Sequence, residues 1–554
     1  MPELTWIGKE KVITHHQDVP YRVLEHKYGF SVEGGESEKE TKSGNKIIHG
    51  DNLEALKALL PEYEGKIKCI YIDPPYNTGN EKWVYNDNVN HPKIKKWLNE
   101  VVGTEGEDLT RHDKWLCMMY PRLKLLHKLL SEDGAIFISI DDMEINTLKI
   151  VMDEIYGRSN FIACLPTIMN LKGNQDQYGF AGTHEYTLVY VKQKNITVLN
   201  QFLVDDDNLE EWIVDDIGYF KQGANLKSTG INAPREKRPN LFFPIFIDSE
   251  DNVYVTEDNN PPKCFVGEIT SIYPITNEKE MSWRWSKNKF KNESYNLIVN
   301  RNDNISIYKK QRPELGELPS KKPKTIFYKP EYSSGNGTSQ IKNIFGEKKF
   351  DNPKPLELIM DLLIIGSNKD SIILDSFAGS GTTGHAVLNL NKLDGGNRKF
   401  ILVEMEDYAQ DITAERVKRV IKGYGEGNKK VEGTGGEFDY YELGERLFLE
   451  DNNLNEEVGQ EKIREYIYYT ETKEFLNRKR TKENYYLLDN YLNTGYYFYY
   501  EKDSLTTLSI DNLNIVTQKA EQYVIYADIC LLDKEFMLKN NIIFKKIPRD
   551  IKRF

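Results

Sequence analysis

"IILDSFAGSGTTGHAVLNL", residues 372–390, reads as a strand, a glycine turn and a helix. The turn runs from Asp375 to Thr383. Gly379 and Gly381 permit positive φ and let the backbone come close to a ligand. The helix N-terminus beyond the turn favours an anionic group such as a carboxylate. Glu404 follows 25 positions after Gly379, at the end of the apolar strand "KFILVE". An acid in that place can accept both hydroxyls of a ribose. A P-loop is disfavoured, because the turn lacks the lysine of GxxxxGK[ST]. "GSGTTG" satisfies the dinucleotide pattern GxGxxG loosely. On this stretch alone the ligand is a nucleoside, open between a dinucleotide and S-adenosylmethionine.

Strand and helix alternate outward from this turn. "KIIHGDN" is a short strand with turn chemistry, and "LEALKALLPEYEGK" is helical. "IKCIYID" and "SEDGAIFISID" are apolar strands of a sheet covered on both faces, with the helical "KWLCMMYPRLKLLHKLL" between them. "LKIVMDEIYG" reads as a helix and "HEYTLVYVKQK" as a strand, so the fold class is α/β with a parallel sheet. The rhythm stops near residue 196 and resumes near 346. We expect an irregular N-terminal arm at 1–40, a first core segment at 41–195, an insert at 196–345, a second core segment at 346–425, and a C-terminal α+β domain at 426–554. The glycine-rich "GYGEGNKKVEGTGGEF" introduces the last of these, which is rich in tyrosine.

The 554 residues are 39% apolar and carry a net charge of −12, which argues against a uniformly basic coat. A local basic excess exists, because residues 281–350 sum to about +9. Cys69, Cys117, Cys164, Cys264 and Cys530 are too scattered for a metal site or a disulfide framework. No apolar leader opens the chain and no run of about 18 apolar residues occurs. We expect a cytoplasmic protein with no membrane partner and no metal.

The strand "IKCIYI" ends in Asp73, Pro74, Pro75 and Tyr76. Neither proline can donate to a ladder, and each forces the residue before it out of the α region. Asp73 and Pro74 are thus held extended, offering a carboxylate and a carbonyl beside an aromatic plate. Such acceptors suit a planar base that presents an amino group. They can draw the amino protons and localise the nitrogen lone pair, which then attacks a methyl held in line. Tyr76 would stack on the base, which must leave the duplex to be reached. In isolation the motif reads equally well as a plain turn.

Together, "DPPY" and "DSFAGSGTT" resemble the catalytic and cofactor motifs of an amino-group DNA methyltransferase. Their order, catalysis first, resembles the permuted β class. More narrowly, "YIDPPYNTGNEKWVYND", "WLCMMYPRLKLLHKLLSEDGAIFISIDD", "RPNLFFPI", "FDNPKPLELI" and "FAGSGTTGHAVLNLNKLDGGNRKFILVE" resemble the modification subunit of type III restriction–modification systems. The resemblance implies a Rossmann-like core, S-adenosylmethionine as donor and adenine N6 as acceptor. It also implies a target-recognition insert, double-stranded DNA as partner, a homodimer and a separate ATP-dependent restriction subunit. It places Phe377 against the donor and Asp375 by its amino group. "NPKP", with Lys354 and Pro355, falls near its methionine end, Thr382 belongs to the cofactor motif, and "HGDN", with Asp51, falls near the adenine. Asp51 reads equally as a helix cap. Candidates for DNA contact in the insert are Arg235, Lys237, Arg238, Trp283, Trp285, Lys287, Lys289, Lys309, Lys310 and Arg312.

Overall fold

A computed structural model of the chain describes residues 3–76, 111–173, 179–203, 212–301, 304–313 and 319–553. "NTGNEKWVYND", quoted above for the resemblance, lies outside them.

The apolar runs do become central strands. Ten strands share one sheet: β1 (Arg22–Ser31), β2 (Gly35–Ser37), β3 (Lys46–His49), β4 (Ile67–Ile72), β5 (Leu130–Ile140), β6 (Phe161–Ile168), β7 (His184–Val191), β8 (Ile372–Asp375), β9 (Lys399–Glu404) and β10 (Glu437–Arg446). Their spatial order is β2-β1-β10-β3-β9-β8-β4-β5-β7-β6. The six strands from β10 to β5 run parallel, and β1 and β7 flank them antiparallel.

Alternation along β4 and β5 divides the core between two faces. Ile70, Ile72, Ile136 and Ile138 pack with Leu56 of helix α1 (Asn52–Tyr63) and with Trp115 and Leu123 of α2 (Arg111–Leu129). Cys69 and Phe137 point the other way, against α3 (Leu356–Gly366). A side chain at Gly366 would place its Cβ 2.5 Å from the Phe137 ring and 2.8 Å from the Cys69 sulfur. That helix can lie this close to the sheet only with glycine there.

Three strands depart from the sequence reading, β1 and β10 together with the short β2 paired to β1. β1 lies in the stretch read as an irregular arm, and β10 lies beyond the glycine-rich linker, yet the two pair antiparallel and β10 joins β3. Both carry charges among apolar residues, as half-buried strands do, so neither shows as a continuous apolar run. The chain divides into two compact units, one made of Met1–Asn200 with Lys324–Phe554, the other of Gln201–Pro323. The C-terminal strands Leu487–Tyr491, Thr494–Phe498, Gln522–Ala527 and Ile542–Lys546 form a second sheet within the first unit.

The second unit is built on a sheet ordered 297–300, 306–311, 218–225, 213–215. Its two ends are joined by a short antiparallel ladder, in which Leu203 faces Ser320 and Phe202 faces Lys321. Trp283 and Trp285, expected to reach DNA, are core residues instead. Trp283 is 3% exposed, donates its indole N–H to the Phe243 carbonyl at 2.8 Å and packs edge-on against Phe290. Trp285 meets the same phenylalanine ring. In a unit this small, the largest aromatics are needed to fill the interior. Trp283→Ala is therefore expected to destabilise this unit by about 3–5 kcal/mol, read as an earlier melting step and proteolysis within 201–323.

Among the described residues, no helix is long and apolar enough to cross a membrane and no His, Cys, Asp and Glu group is arranged to hold a metal ion.

Candidate active site

β4 and β8 are adjacent and parallel, with Ile70 opposite Leu374. Their C-terminal ends therefore deliver Asp73 and Asp375 to the same edge of the sheet, although some three hundred residues separate them in sequence. Tyr71, Asp73, Phe350, Asn352, Pro353, Lys354, Asp375, Phe377, Ala378, Gly379, Ser380, Thr382 and Thr383 line one pocket there. The double-proline tip and the glycine turn thus share a cavity.

The tip is held from both sides. Trp115 of α2 donates its indole N–H to the Pro75 carbonyl at 2.6 Å. Among the described residues none donates to the Pro74 carbonyl. Asp73 and Tyr76 are each 6% exposed. The Lys354 ammonium lies 3.2 Å from Asp73 Oδ1 and 3.0 Å from Glu185 Oε1, and donates to the Tyr76 hydroxyl. Tyr76 donates in turn to Glu185 Oε2 at 3.2 Å. One buried cation is thus shared by two acids and a phenol. Burial pushes the Glu185 carboxyl up, and the ammonium beside it pulls it down. The two acids hold the Lys354 ammonium in its charged form against burial.

The glycine turn carries its own acids. Asp375 accepts from the Phe377 N–H at 3.0 Å and the Thr383 hydroxyl at 2.5 Å, yet burial pushes its carboxyl up to about 7. A cationic group arriving beside it would restore the ionised form. Glu404 at the end of β9 accepts from the Gly379 N–H at 2.7 Å and the Glu406 N–H at 3.0 Å. Burial raises this carboxyl to about 8. Gly381 has φ +79°, and a Cβ on it would stand 3.0 Å from the Thr413 carbonyl. The turn is closed to any other residue without strain.

The structure gathers Asp73, Tyr76, Lys354, Asp375, Phe377, Gly379 and Thr382, with Glu404 bonded to the turn. Pro355 caps α3 directly behind Lys354. Asp51 caps α1, accepting from the Leu53 N–H at 2.8 Å and the Glu54 N–H at 3.4 Å. Sequence reasoning missed Glu185 and Trp115. In "HEYTLVY" His184 is exposed, while its neighbour Glu185 enters the buried cluster. An acid opening an otherwise apolar strand was the available signal.

The remaining candidates lie in the second unit. Lys310 and Arg312 are tied to Asp215 at 2.7 and 2.5 Å and lie over the Phe220 ring. Lys287 donates to the Thr256 and Glu257 carbonyls and to Asn259. Arg235 pairs with Glu280 at 2.8 Å. Lys237, Arg238, Lys289 and Lys309 are exposed, although Lys237 donates to the Ile231 carbonyl at 2.8 Å and Lys289 pairs with Glu293 at 3.4 Å.

Comparison with known proteins places these features in a family. The profile of the DNA methylase family, which covers N6 and N4 methyltransferases, matches residues 67–415. The chain is 46% identical over 415 residues to the EcoPI Mod subunit, a type III restriction–modification enzyme of Escherichia phage P1, covering 70% of this chain and 64% of that protein. It is 34% identical over 365 residues to the type II methyltransferase M.KpnI of Klebsiella pneumoniae, covering 65% and 81%. It is 32% identical over 403 residues to the type III EcoP15I Mod subunit of Escherichia coli, covering 68% and 61%. The chain thus spans a little under two thirds of these type III relatives. The two motifs on either side of the inserted unit fall inside a single match, and the chain belongs to the DNA methylase family.

Proposed function

We propose that this protein is a site-specific DNA methyltransferase acting on N6 of an adenine flipped out of double-stranded DNA, with S-adenosylmethionine as donor. The observation that carries the reading is the single pocket shared by the Asp73 tip and the 375–383 turn. The residues present fit the donor. Asp375 suits its ammonium, Phe377 its apolar flank, and Glu404 its ribose hydroxyls. When bound, S-adenosylmethionine supplies an electrophilic methyl group on a sulfonium.

The chain's own residues do the rest. Asp73 and the Pro74 carbonyl accept the two amino protons of the base and localise the lone pair on nitrogen. Asp73 then takes the proton that methylation makes acidic. Lys354 and Glu185 fix the Tyr76 ring by its hydroxyl, so the plate that would stack on the base has one orientation. To admit the base, Lys354 must loosen its hold on Asp73 while keeping Glu185.

The similarity to EcoPI and EcoP15I supports a further reading as the modification subunit of a type III restriction–modification system. On that reading residues 201–323 recognise the target, and the protein works in the cytoplasm as a homodimer with a separate ATP-dependent restriction subunit. The exposed Arg238 and Lys309 are then the stronger phosphate contacts, with Lys237 and Lys289 reaching phosphate by exchanging a protein partner.

Digestion of DNA from cells with and without the gene, followed by mass spectrometry of nucleosides, tests the acceptor. N6-methyladenine is expected only where the gene is present, and single-molecule sequencing of the same DNA before digestion should confine it to one short sequence. N4-methylcytosine in its place would reassign the base, because the same acceptors serve any ring amino group.

A further inference from the structure

Helix α5 (Glu415–Lys422) buries Arg416 completely, behind the glycine turn. Its Nη1 donates to the Thr382 hydroxyl at 2.8 Å, to the Ser380 hydroxyl at 2.9 Å and, more weakly, to the Ser380 carbonyl at 3.5 Å. Its Nη2 reaches Gln340 Oε1 at 2.9 Å and His385 Nδ1 at 3.3 Å. Burial and the guanidinium keep His385 neutral, so its ring nitrogen can accept. Every partner is uncharged. Among the described residues no carboxylate lies within 4.0 Å of this guanidinium, and its Nε has no partner. Burial pulls the pKa down to about 9, which still leaves Arg416 charged at neutral pH. A buried cation without a counterion is costly. Lys354, by contrast, is matched by two acids.

The two hydroxyls that take Arg416's hydrogen bonds are pocket-lining groups. A hydroxyl that accepts from a guanidinium has its own proton to give. Thr382 gives its proton only weakly, to the Lys354 carbonyl at 3.4 Å, and the two hydroxyls lie 3.4 Å apart, long contacts that a carboxylate in the pocket would outcompete. The N-terminus of helix α4 (Thr382–Asp394) starts at the same point and adds partial positive charge. Asp375, on the same pocket, calls for a cation. The pocket wall therefore carries an acid at one end and a relayed positive charge at the other, the pattern that matches a zwitterionic amino-acid group.

We propose that Arg416 is a positioning residue for the methyl donor, holding the donor's carboxylate through the hydroxyls of Ser380 and Thr382 rather than by touching it. This rests on S-adenosylmethionine being the donor.

Equilibrium titration of the full chain, by calorimetry or intrinsic fluorescence, tests it with two probes: S-adenosylmethionine and its decarboxylated analogue, which keeps the sulfonium and the amine. The wild type is expected to prefer S-adenosylmethionine by about a hundredfold. Arg416→Met should weaken S-adenosylmethionine by about thirtyfold while changing the analogue by no more than about threefold, so the preference collapses. Arg416→Lys should recover part of it. Should Arg416→Met fold poorly by thermal melting, the double variant Ser380→Ala, Thr382→Val keeps the cation and removes the relay. It is expected to show the same collapse. Equal weakening of both probes, or an unchanged preference in the double variant, would overturn the proposal while leaving the donor assignment intact. A wild type that binds neither probe would overturn the donor assignment and this inference with it.

Discussion

Replacing Asp73 by alanine is expected to lower the rate of methyl transfer at least about a thousandfold while leaving donor affinity within about threefold of wild type. The reason is geometric. Asp73 sits at the rim shared by β4 and β8, and its carboxylate is the charged acceptor at the tip. Alanine removes both the lone-pair localisation and the proton acceptor, and touches none of the groups on the glycine turn. Asp73→Asn keeps one oxygen acceptor and should lose less. Single-turnover transfer of a labelled methyl group, beside a binding titration, reads the two quantities separately. Loss of rate and affinity in equal measure would instead make Asp73 a structural residue.

The second large effect is expected at Lys354. Lys354→Met leaves Asp73 and Glu185 buried without their shared cation, and an uncompensated buried charge costs about 3–5 kcal/mol. Glu185, whose carboxyl burial already raises, relieves this by taking up a proton. The sign follows directly. Burial raises the Glu185 carboxyl and the ammonium holds it down, so removing the cation raises the pH at which Glu185 ionises. Once it is protonated the Tyr76 hydroxyl loses its charged acceptor, and the acid limb of the pH–rate profile moves upward. At pH 7 we expect a loss of about a hundredfold in kcat, recovered in part toward higher pH. Lys354→Arg should keep the charge but not the fit to three partners. A profile that stays in place while the rate falls would contradict this account and reduce Lys354 to a packing role.

The parallel core was legible because its strands are covered on both faces and so read as continuous apolar runs, as in "IKCIYI" and "KFILVE". The acids at strand ends were legible because a proline pair and a glycine turn mark where each strand must stop. The network behind them was not. Nothing in the neighbourhood of Lys354 reports that its ammonium will meet Glu185, 169 residues away in sequence. That pairing depends on β7 lying beside β5, a long-range choice of register. The same limit explains the tryptophans. A basic, aromatic stretch around 283–289 looks like a nucleic-acid surface until the sheet beneath it is known, and only then do the rings turn inward. Arg416 gave no signal, because a basic residue in an amphipathic helix ordinarily faces water.

The short ladder between 202–203 and 320–321 has a bearing on how such proteins diversify. Paired strands stand about 5 Å apart, so the long excursion starts and finishes at nearly one point. Another module whose termini emerge side by side could be spliced in at that doorway without stretching the host chain. If, as proposed, that unit recognises the target, new sequence preferences could then be acquired wholesale, by exchange of a cassette, while the chemistry is inherited unchanged.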